Sequence, residues 1–259
     1  MNPVANLFVH HSVAQRYGSA RPYFHPIIIQ RIVSVTEVSR FSRALDIACG
    51  TGQSSQALQD IAEDVDAIDI SYEMITEAKP HAHIRYHVSR AEAIAFPSDV
   101  FDVATVGLAF HWFNQEQFLS EAHRVLKTGA WLVIYTSGFL GEMAEDAAFR
   151  EWTRDIYPHK FPTPPRHSTN VSLETVEQFG FTHHRTEEFT HDETMDAEQL
   201  VDYLLTQTNT IAAIERDNIL SLSAAKHWIR DGIDRFFLGR RRTMKFGGSI
   251  SFLQRMGSA

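Results

Sequence analysis

The sequence is poor in the features that mark secreted, membrane-spanning and nucleic-acid-binding proteins. It has one cysteine, Cys49, in 259 residues, so no disulfide can form within the chain and a reducing, intracellular setting is expected. Its 24 basic residues are outnumbered by 32 acidic ones, and the net charge of −8 argues against a nucleic-acid-binding surface. Its longest apolar runs are too short to span a membrane. We therefore expect a cytoplasmic protein that binds neither nucleic acid nor membranes.

Two further patterns are missing. Residues 1–4 lack the charged and then apolar composition of a secretion signal, which again favours the cytoplasm. Three pairs of histidines lack a third ligand at the spacing of a metal site, and these pairs are His10 and His11, His81 and His83, and His183 and His184. No metal ion is therefore expected. The length predicts one large domain, or one domain with an inserted cap.

The most informative pattern that is present is a strand, a glycine turn and a helix over residues 44–62. Apolar residues around Asp46 predict a buried parallel strand. Gly50 and Gly52 predict a tight turn whose backbone can approach a ligand closely, because neither residue has a Cβ. A second strand ends at Asp69, nineteen residues after Gly50, a spacing that suits an acid binding ribose hydroxyls in a Rossmann-type sheet. The sequence therefore predicts a nucleoside-binding half.

Three interpretations of this pattern remain open. A dinucleotide fingerprint requires a third glycine where this chain has Ser55, so NAD fits incompletely. Residues 46–52 instead resemble motif I of class I S-adenosyl-L-methionine (SAM)-dependent methyltransferases, which is an acid followed by x-x-x-G-x-G. The third interpretation is a turn whose glycines only permit tight packing.

Further blocks, in the same order, extend the resemblance. Residues 102–113, which end in His111-Trp112-Phe113, and residues 121–129 are similar to blocks of the methyltransferase type 11 families, those of the ubiquinone/menaquinone and trans-aconitate methyltransferases. The similarity covers residues 41–136 well and the N-terminal segment moderately. One departure is Arg90, which stands where the family often has an aspartate that accepts a hydrogen bond from adenine. An arginine cannot accept one.

The resemblance implies a set of donor-binding residues. The glycine turn and the carbonyls of Ala48 and Leu108 would hold the methionine part of SAM. Asp69 would bind the ribose, and the backbone of Ala91 together with Glu92 would bind the adenine. The full set expected to contact SAM, or its product S-adenosyl-L-homocysteine (SAH), is Tyr17, Arg21, Asp46, Ala48, Gly50, Thr51, Gly52, Asp69, Ile70, Met74, Ala91, Glu92 and Leu108.

The N-terminal segment carries the pattern Y-x-x-x-R-P-x-[YF]-x-P from Tyr17 to Pro26. Its composition alone favours a turn between two helices that acts as a peripheral latch, because proline is poorly tolerated inside a helix. The pattern also resembles the segment that closes over the SAM site in small-molecule methyltransferases. On that resemblance Tyr17 would line the cavity, and Arg21 would pair with a carboxylate of SAM or of the substrate, a partner that suits a guanidinium.

Methyl transfer from SAM displaces a neutral leaving group, so the protein mainly aligns the nucleophile with the methyl group. His111 is the candidate general base, because histidine titrates near neutral pH and because the end of a central strand would face the methyl group. The alternative is that His111 only lines the substrate pocket, together with Trp112 and Tyr17.

We expect an α/β fold, a Rossmann-like three-layer α/β/α sandwich with a seven-stranded, mostly parallel sheet, an antiparallel last strand and a helical cap. The expected segments are an N-terminal helical lid (1–40), a SAM-binding core (41–136), and a remainder (137–259) that completes the sheet and carries the cap. The cap should include a helix over residues 143–157.

The expected function is methyl transfer from SAM to an O-, N- or C-nucleophile of a small molecule, a carboxylic acid being one candidate, by a monomer or homodimer. The alternatives are an NAD-dependent oxidoreductase and a non-catalytic SAM- or nucleoside-binding protein.

Overall fold

The computed structural model describes residues 7, 8, 10–164, 172–217 and 219–257. Parts of the expected lid and cap, among them residues 1–6 and 165–171, lie outside the described residues. The helices are α1 (His11–Ala20), α2 (His25–Thr36), α3 (Gln53–Leu58), α4 (Tyr72–Thr76), α5 (Gln115–Val125), α6 (Phe149–Glu151), α7 (Tyr157–Lys160), α8 (Leu173–Gln178), α9 (Ala197–Leu204), α10 (Thr208–Ile211) and α11 (Leu222–Phe237). The strands are β1 (Phe41–Ile47), β2 (Ala62–Asp69), β3 (Ile84–Val88), β4 (Phe101–Gly107), β5 (Leu126–Tyr135), β6 (Gly138–Met143), β7 (Phe181–Met195) and β8 (Arg242–Arg255). A 3-10 turn covers Phe110–Trp112, and π-helical segments cover Trp152–Ile156 and Ala212–Arg216.

The chain divides into two compact units. The larger unit comprises Tyr23–Thr136, Arg166–Phe189 and Gly248–Ala259, and the smaller unit comprises Met1–Pro22, Ser137–Pro165 and Thr190–Gly247. Helix α1 therefore belongs to the smaller unit and α2 to the larger, while β7 and β8 contribute residues to both.

A mostly parallel sheet forms the centre of the larger unit. Its strand order is β3-β2-β1-β4-β5-β8, and β7 pairs with β8. The pairs from β3 to β5 are parallel, and β5 pairs with β8 in antiparallel fashion. The expected Rossmann-like sheet with an antiparallel last strand is confirmed, with eight strands where seven were expected, because β6 also pairs with β8. In such a sheet ligands bind outside the carboxyl ends of the strands where the strand order reverses, here between β1 and β4.

Both faces of this sheet are apolar, because successive side chains of a strand point to opposite faces. On one face Ala44 belongs to a buried cluster that includes Ile32 of α2. On the other face Leu45 belongs to a buried cluster that includes Phe118 of α5. The two clusters give the three layers, helices on both sides of the sheet, that the sequence predicts.

Side-chain caps lie at the start of two helices that follow the carboxyl ends of strands β2 and β4. The side chain of Ser71 accepts a hydrogen bond from the N–H of Met74 at the start of α4. Asn114 accepts one from the N–H of Gln117 at the start of α5. Each cap satisfies a backbone N–H that has no partner within its own helix, so both loops are fixed where they leave the sheet edge.

The smaller unit is mainly helical and has its own apolar core, to which α9 contributes Leu200 and α11 contributes Ile229. It also contains β6, which pairs in antiparallel fashion with the first part of β8. The expected helix over residues 143–157 is therefore wrong at its start, because β6 ends at Met143 and α6 begins only at Phe149. Within the described ranges, every helix lacks the combination of length and apolar character that crossing a membrane requires.

Candidate functional site

The turn after β1 has an unusual backbone. Ala48, Gly50 and Gly52 have φ of 57°, 55° and 80°, which lie in the left-handed region that strains any residue with a Cβ. Leu108, after β4, has the same feature with φ of 59°. Because β1 and β4 are parallel neighbours, these two strained non-glycine residues lie at the same edge of the sheet. Thr51, between the glycines, is buried.

Two side chains fill the space beside the glycines. A Cβ on Gly50 would lie 3.1 Å from Cε of Met74, and a Cβ on Gly52 would collide with the phenol of Tyr86. Burial raises the pKa of Tyr86 to about 12, so this phenol is neutral at neutral pH. The turn therefore needs glycine for packing as well as for any close approach to a ligand. Sequence reasoning missed Tyr86.

Asp46 is fully buried, and its carboxylate is held by three hydroxyl groups. Ser54 and Ser55 donate to Oδ2 at 2.5 and 2.6 Å, and Thr105 donates to Oδ1 at 3.0 Å. Burial raises the pKa of Asp46 to about 6, although the three hydrogen bonds act in the opposite direction. Asp46 thus connects β1 to α3 and to β4.

The hydroxyl partners of Asp46 were not predicted. Ser55 stands at the position of the third glycine of a dinucleotide fingerprint, and its hydrogen bond to Asp46 gives this position a structural role. The available signal was the Ser54-Ser55 pair directly after the turn, because hydroxyl side chains are suitable partners for a buried acid.

Asp69 lies against the glycine turn. Its Oδ2 accepts a hydrogen bond from the N–H of Gly50 at 2.8 Å, and its Oδ1 accepts one from the N–H of Ser71 at 2.8 Å. Burial nevertheless raises the pKa of Asp69. Each carboxylate oxygen can accept more than one hydrogen bond, so Asp69 retains the capacity to accept from the hydroxyl groups of a ligand.

Exposed apolar side chains lie at the ends of β2 and β3. Ile70, which follows β2, is 49% exposed, and Val88, at the end of β3, is 56% exposed. Val88 pairs in register with Asp69, so this apolar surface adjoins the buried carboxylate. Met74 is buried beside Gly50. A flat apolar ring would cover this surface favourably.

The segment after β3 is fixed by Glu92. Its Oε1 accepts a hydrogen bond from the N–H of Asn114 at 3.0 Å, and its Oε2 lies 3.4 Å from Nη2 of Arg90. Ala91 is buried. The carboxylate of Glu92 thus links this segment to the start of α5, and adenine binding by Ala91 and Glu92 stays a prediction.

His111 and Trp112 lie in the 3-10 turn that follows β4. His111 is 8% exposed, and its ring lies 4.7 Å from the ring of Trp112 at an angle of 46°. The turn comes two residues after Leu108, at the carboxyl end of β4. The roles of His111 as a base and of both residues as pocket walls stay predictions.

Tyr17 and Arg21 belong to the smaller unit. The guanidinium of Arg21 lies 4.5 Å from the centre of the Tyr17 ring and 5.3 Å from that of the Tyr203 ring. Its Nη2 donates to the carbonyl of Thr206 at 2.7 Å. The other predicted site residues belong to the larger unit. Over the described part of the chain, no group of three or more His, Cys, Asp or Glu side chains is placed to hold a metal ion.

Sequence comparison identifies the region that carries this geometry. The family model described as "Methyltransferase domain" matches residues 45–134. The malonyl-[acyl-carrier protein] O-methyltransferase of Salmonella typhimurium is 30% identical over 138 residues, which are 44% of this chain and 55% of that protein. The chain spans about half the length of the curated relatives it matches.

Comparison of folds agrees with this match. A protein from Anaeromyxobacter dehalogenans, provisionally described as a type II methyltransferase, has a TM-score of 0.67 at 22% identity, over 91% of this chain and 97% of that one. The [4+2]-cyclase SpnF has a TM-score of 0.56 at 17% identity, over 90% of this chain and 82% of that one. At these identities the likeness shows the fold alone, and one fold can host several activities. Residues 45–134 match the methyltransferase domain model, and the resemblance of this chain to the class I SAM-dependent methyltransferases is confirmed.

Proposed function

We propose that this protein is a SAM-dependent methyltransferase that acts on a small molecule. The observation that carries the proposal is the hydrogen bond from the N–H of Gly50 to the carboxylate of Asp69. It joins the glycine turn to the acid at the end of the neighbouring strand, inside the region that matches the methyltransferase domain. A nucleoside with an amino-acid tail needs both features at one edge of a sheet.

The residues at this edge fit SAM in three respects. Asp69 can accept further hydrogen bonds, which suits the two hydroxyls of a ribose. The exposed side chain of Ile70 offers an apolar surface to adenine. The left-handed backbone of Ala48 and Leu108 costs free energy, and such strain clusters at ligand-binding sites. The carbonyls of these two residues would hold the methionine part.

SAM supplies a methyl group that is already activated by its bond to a positively charged sulfur. The remaining task of the chain is to align an acceptor with that group and to exclude water. His111 would take a proton from an acceptor that needs to lose one, and Trp112 would form a wall of the pocket. The malonyl-[acyl-carrier protein] O-methyltransferases among the relatives favour a carboxyl group as the acceptor.

The proposal is tested by isothermal titration calorimetry with SAH and with NAD. We expect saturable binding of SAH and none of NAD. Asp69→Asn should weaken SAH binding by about tenfold, since hydrogen bonds to a charged group are the stronger kind. Asp64→Asn on the same strand, whose side chain is 45% exposed, is the matched control and should leave binding unchanged.

Binding of NAD but not of SAH would contradict the proposal in favour of an oxidoreductase. Binding of SAH without turnover of SAM, on a panel of carboxylic acids, phenols and amines, would indicate a non-catalytic binding protein. His111→Ala adds a further test, because turnover that falls while SAH affinity is kept supports the base role, and unchanged turnover removes it.

A further inference from the structure

A serine, a histidine and a glutamate of the smaller unit are joined in a row by two hydrogen bonds. Oγ of Ser137 lies 3.2 Å from Nε2 of His191, and Nδ1 of the same ring lies 3.2 Å from Oε1 of Glu193. We name these three residues the Ser137 triad. All three belong to the smaller unit and lie outside the region that matches the methyltransferase domain. Both distances are within the reach that joins a nucleophile, a base and the group that orients the base.

The strands of the smaller unit bring the side chains of the Ser137 triad together. His191 and Glu193 are two residues apart on β7, so both side chains point to the same face of that strand. Ser137 directly precedes β6, and β8 pairs with both β6 and β7. The ring of His191 stacks on the ring of Phe246 of β8 at 5.3 Å and 25°. The imidazole is therefore held by an acid on its own strand, a hydroxyl next to β6 and an aromatic ring of β8.

The proton positions in the Ser137 triad follow from what each group can donate. A carboxylate only accepts, so Nδ1 of His191 carries a proton that it donates to Glu193. In a neutral imidazole the other nitrogen, Nε2, then has a lone pair and accepts, which makes the hydroxyl of Ser137 the donor. The side chains of His191 and Glu193 are only 9% and 30% exposed, so water competes little for these bonds. This is the arrangement in which an imidazole withdraws the proton of a serine hydroxyl.

Space for a substrate lies beside the hydroxyl of Ser137, which is only half-buried. The next residue is Gly138, and a Cβ placed on it would meet no atom of the described residues within 4 Å, apart from its chain neighbours. Gly138 pairs in register with Gly247 of β8, so two adjacent positions of the sheet carry no side chain. An acyl group therefore has room to lie next to Oγ of Ser137.

We propose that the Ser137 triad is a catalytic site that hydrolyses esters through an acyl-serine. Oγ of Ser137 attacks the carbonyl carbon of the ester while His191 takes its proton. The bond from that carbon to the alcohol oxygen breaks, and His191 gives the proton to the leaving oxygen. Water then attacks the acyl group, loses a proton to His191, and displaces Oγ, which regains that proton. One ester and one water become one carboxylic acid and one alcohol. Glu193 is a positioning residue, because it stays ionised and acts through the imidazole.

The first test measures hydrolysis of p-nitrophenyl acetate by the absorbance of p-nitrophenolate, without SAM, so that its outcome does not depend on the proposed function. Ser137→Ala and His191→Gln should each lower kcat/KM by about 100-fold. Glu193→Gln should lower kcat by about tenfold and leave KM unchanged, since an orienting acid contributes less than the nucleophile and the base. His183→Gln is the matched control, because it removes an imidazole of the same strand that bonds the hydroxyl of Thr186 at 2.9 Å. It should leave the rate unchanged.

The second test identifies the nucleophile with a fluorophosphonate, a reagent that reacts with activated serine hydroxyls. Peptide mass spectrometry should find the phosphonyl group on Ser137 of the wild-type protein and find Ser137 unmodified in His191→Gln. Thermal unfolding shows whether each variant is folded, and Glu193→Gln carries the test if Ser137→Ala is not. Hydrolysis that persists in Ser137→Ala, labelling of a different serine, or equal losses in His183→Gln and His191→Gln would overturn the proposal. A wild-type protein that is neither active nor labelled would overturn it as well.

Discussion

The buried polar groups of the two units differ in whether they have hydrogen-bond partners. In the larger unit Asp46 accepts from three hydroxyls and Asp69 from two backbone N–H groups. In the smaller unit buried nitrogen atoms of Arg16, Arg21 and Gln207 have no acceptor. Of the four buried side-chain nitrogen and oxygen atoms without a hydrogen-bond partner in the described residues, only one, Oε2 of Glu187, lies in the larger unit. Within the described residues, the buried carboxylates of the first region therefore have their partners in the protein, whereas several buried polar atoms of the second do not.

This difference in hydrogen bonding follows from how far apart the bonded residues lie along the sequence. Gly50 and Asp69 are 19 residues apart, and Asp46 and Ser54 are 8 apart, so the single unit of strand, turn, helix and strand from β1 to β2 brings them together. Arg21 and Thr206 are 185 residues apart. A local arrangement can be fixed by backbone geometry alone, while a distant one depends on the packing of whole helices.

The largest expected effect is a loss of stability on substitution in the glycine turn. It tests whether the side chains around this turn are as closely packed as the comparison implies. Gly52→Ala should lower the free energy of unfolding by about 3 kcal/mol, because a Cβ adds left-handed strain and also collides with Tyr86. Gly129→Ala is the matched control. Its φ of 79° is nearly that of Gly52, and open space surrounds it, so only the strain, about 1 kcal/mol, should remain.

Urea unfolding of both variants gives the comparison, and SAH titration of the Gly52 variant should show no binding. Equal losses of stability in the two variants would mean that the Tyr86 phenol moves aside at no cost. The turn would then be adaptable, and the contrast between the two units would weaken.

The next effect is a dependence of stability on pH. Two buried groups of the larger unit have shifted pKa values, one of about 4 and one of about 6. Burial raises the pKa of Asp46 from 3.8 to about 6 and lowers that of His25 from 6.5 to about 4. The contribution of Asp46 to stability is full below pH 3.8 and is lost as pH rises through about 6. That of His25 is full above pH 6.5 and is lost as pH falls through about 4.

Each group contributes roughly 3 kcal/mol to the free energy of unfolding. As pH falls from 6.5 to about 4, Asp46 gains its contribution while His25 loses its own, so the two changes largely cancel in the wild-type protein. Asp46→Asn removes one of them. Relative to wild type, this variant should lose stability as pH falls from 6.5 to 4, as measured by urea unfolding across that range. His25→Gln should show the opposite slope. Parallel curves for wild type and Asp46→Asn would show that the pKa of Asp46 is not raised by burial.

The fold of the larger unit and the outline of the glycine turn could be predicted from the sequence, because both depend on residues that are close together in the chain. Runs of apolar residues give the buried strands, and a turn with φ near 80° at Gly52 accepts almost no other residue. Asp69 was placed correctly at the end of β2 because strand length and spacing are also local. Its binding to a ribose stays a prediction.

The remainder could not be predicted because its residues carry no local signal. Tyrosine occurs throughout the sequence, so nothing marks Tyr86 as the neighbour of Gly52. Residues 138–143 form a strand only because the first part of β8 is available to pair with them. Arg21 contacts Tyr203 and Thr206, which lie more than 180 residues away, and the topology of the chain alone decides that.

The smallest expected effect is a loss of stability in the smaller unit. Loss of a buried contact between distant residues should lower the free energy of unfolding more than loss of an exposed one. Glu215→Gln removes the partner of Arg16, with which it forms an ion pair at 2.8 Å between side chains 17% and 19% exposed. We expect a loss of about 1–2 kcal/mol, because a partly buried guanidinium is left without its counter-charge. The exposed pair of Arg216 and Asp217 is the control, and Asp217→Asn should cost less than about 0.5 kcal/mol. Trp152, buried in the same unit, reports the unfolding of both variants by fluorescence, and equal losses would mean that burial adds nothing to this contact between α1 and a segment 199 residues away.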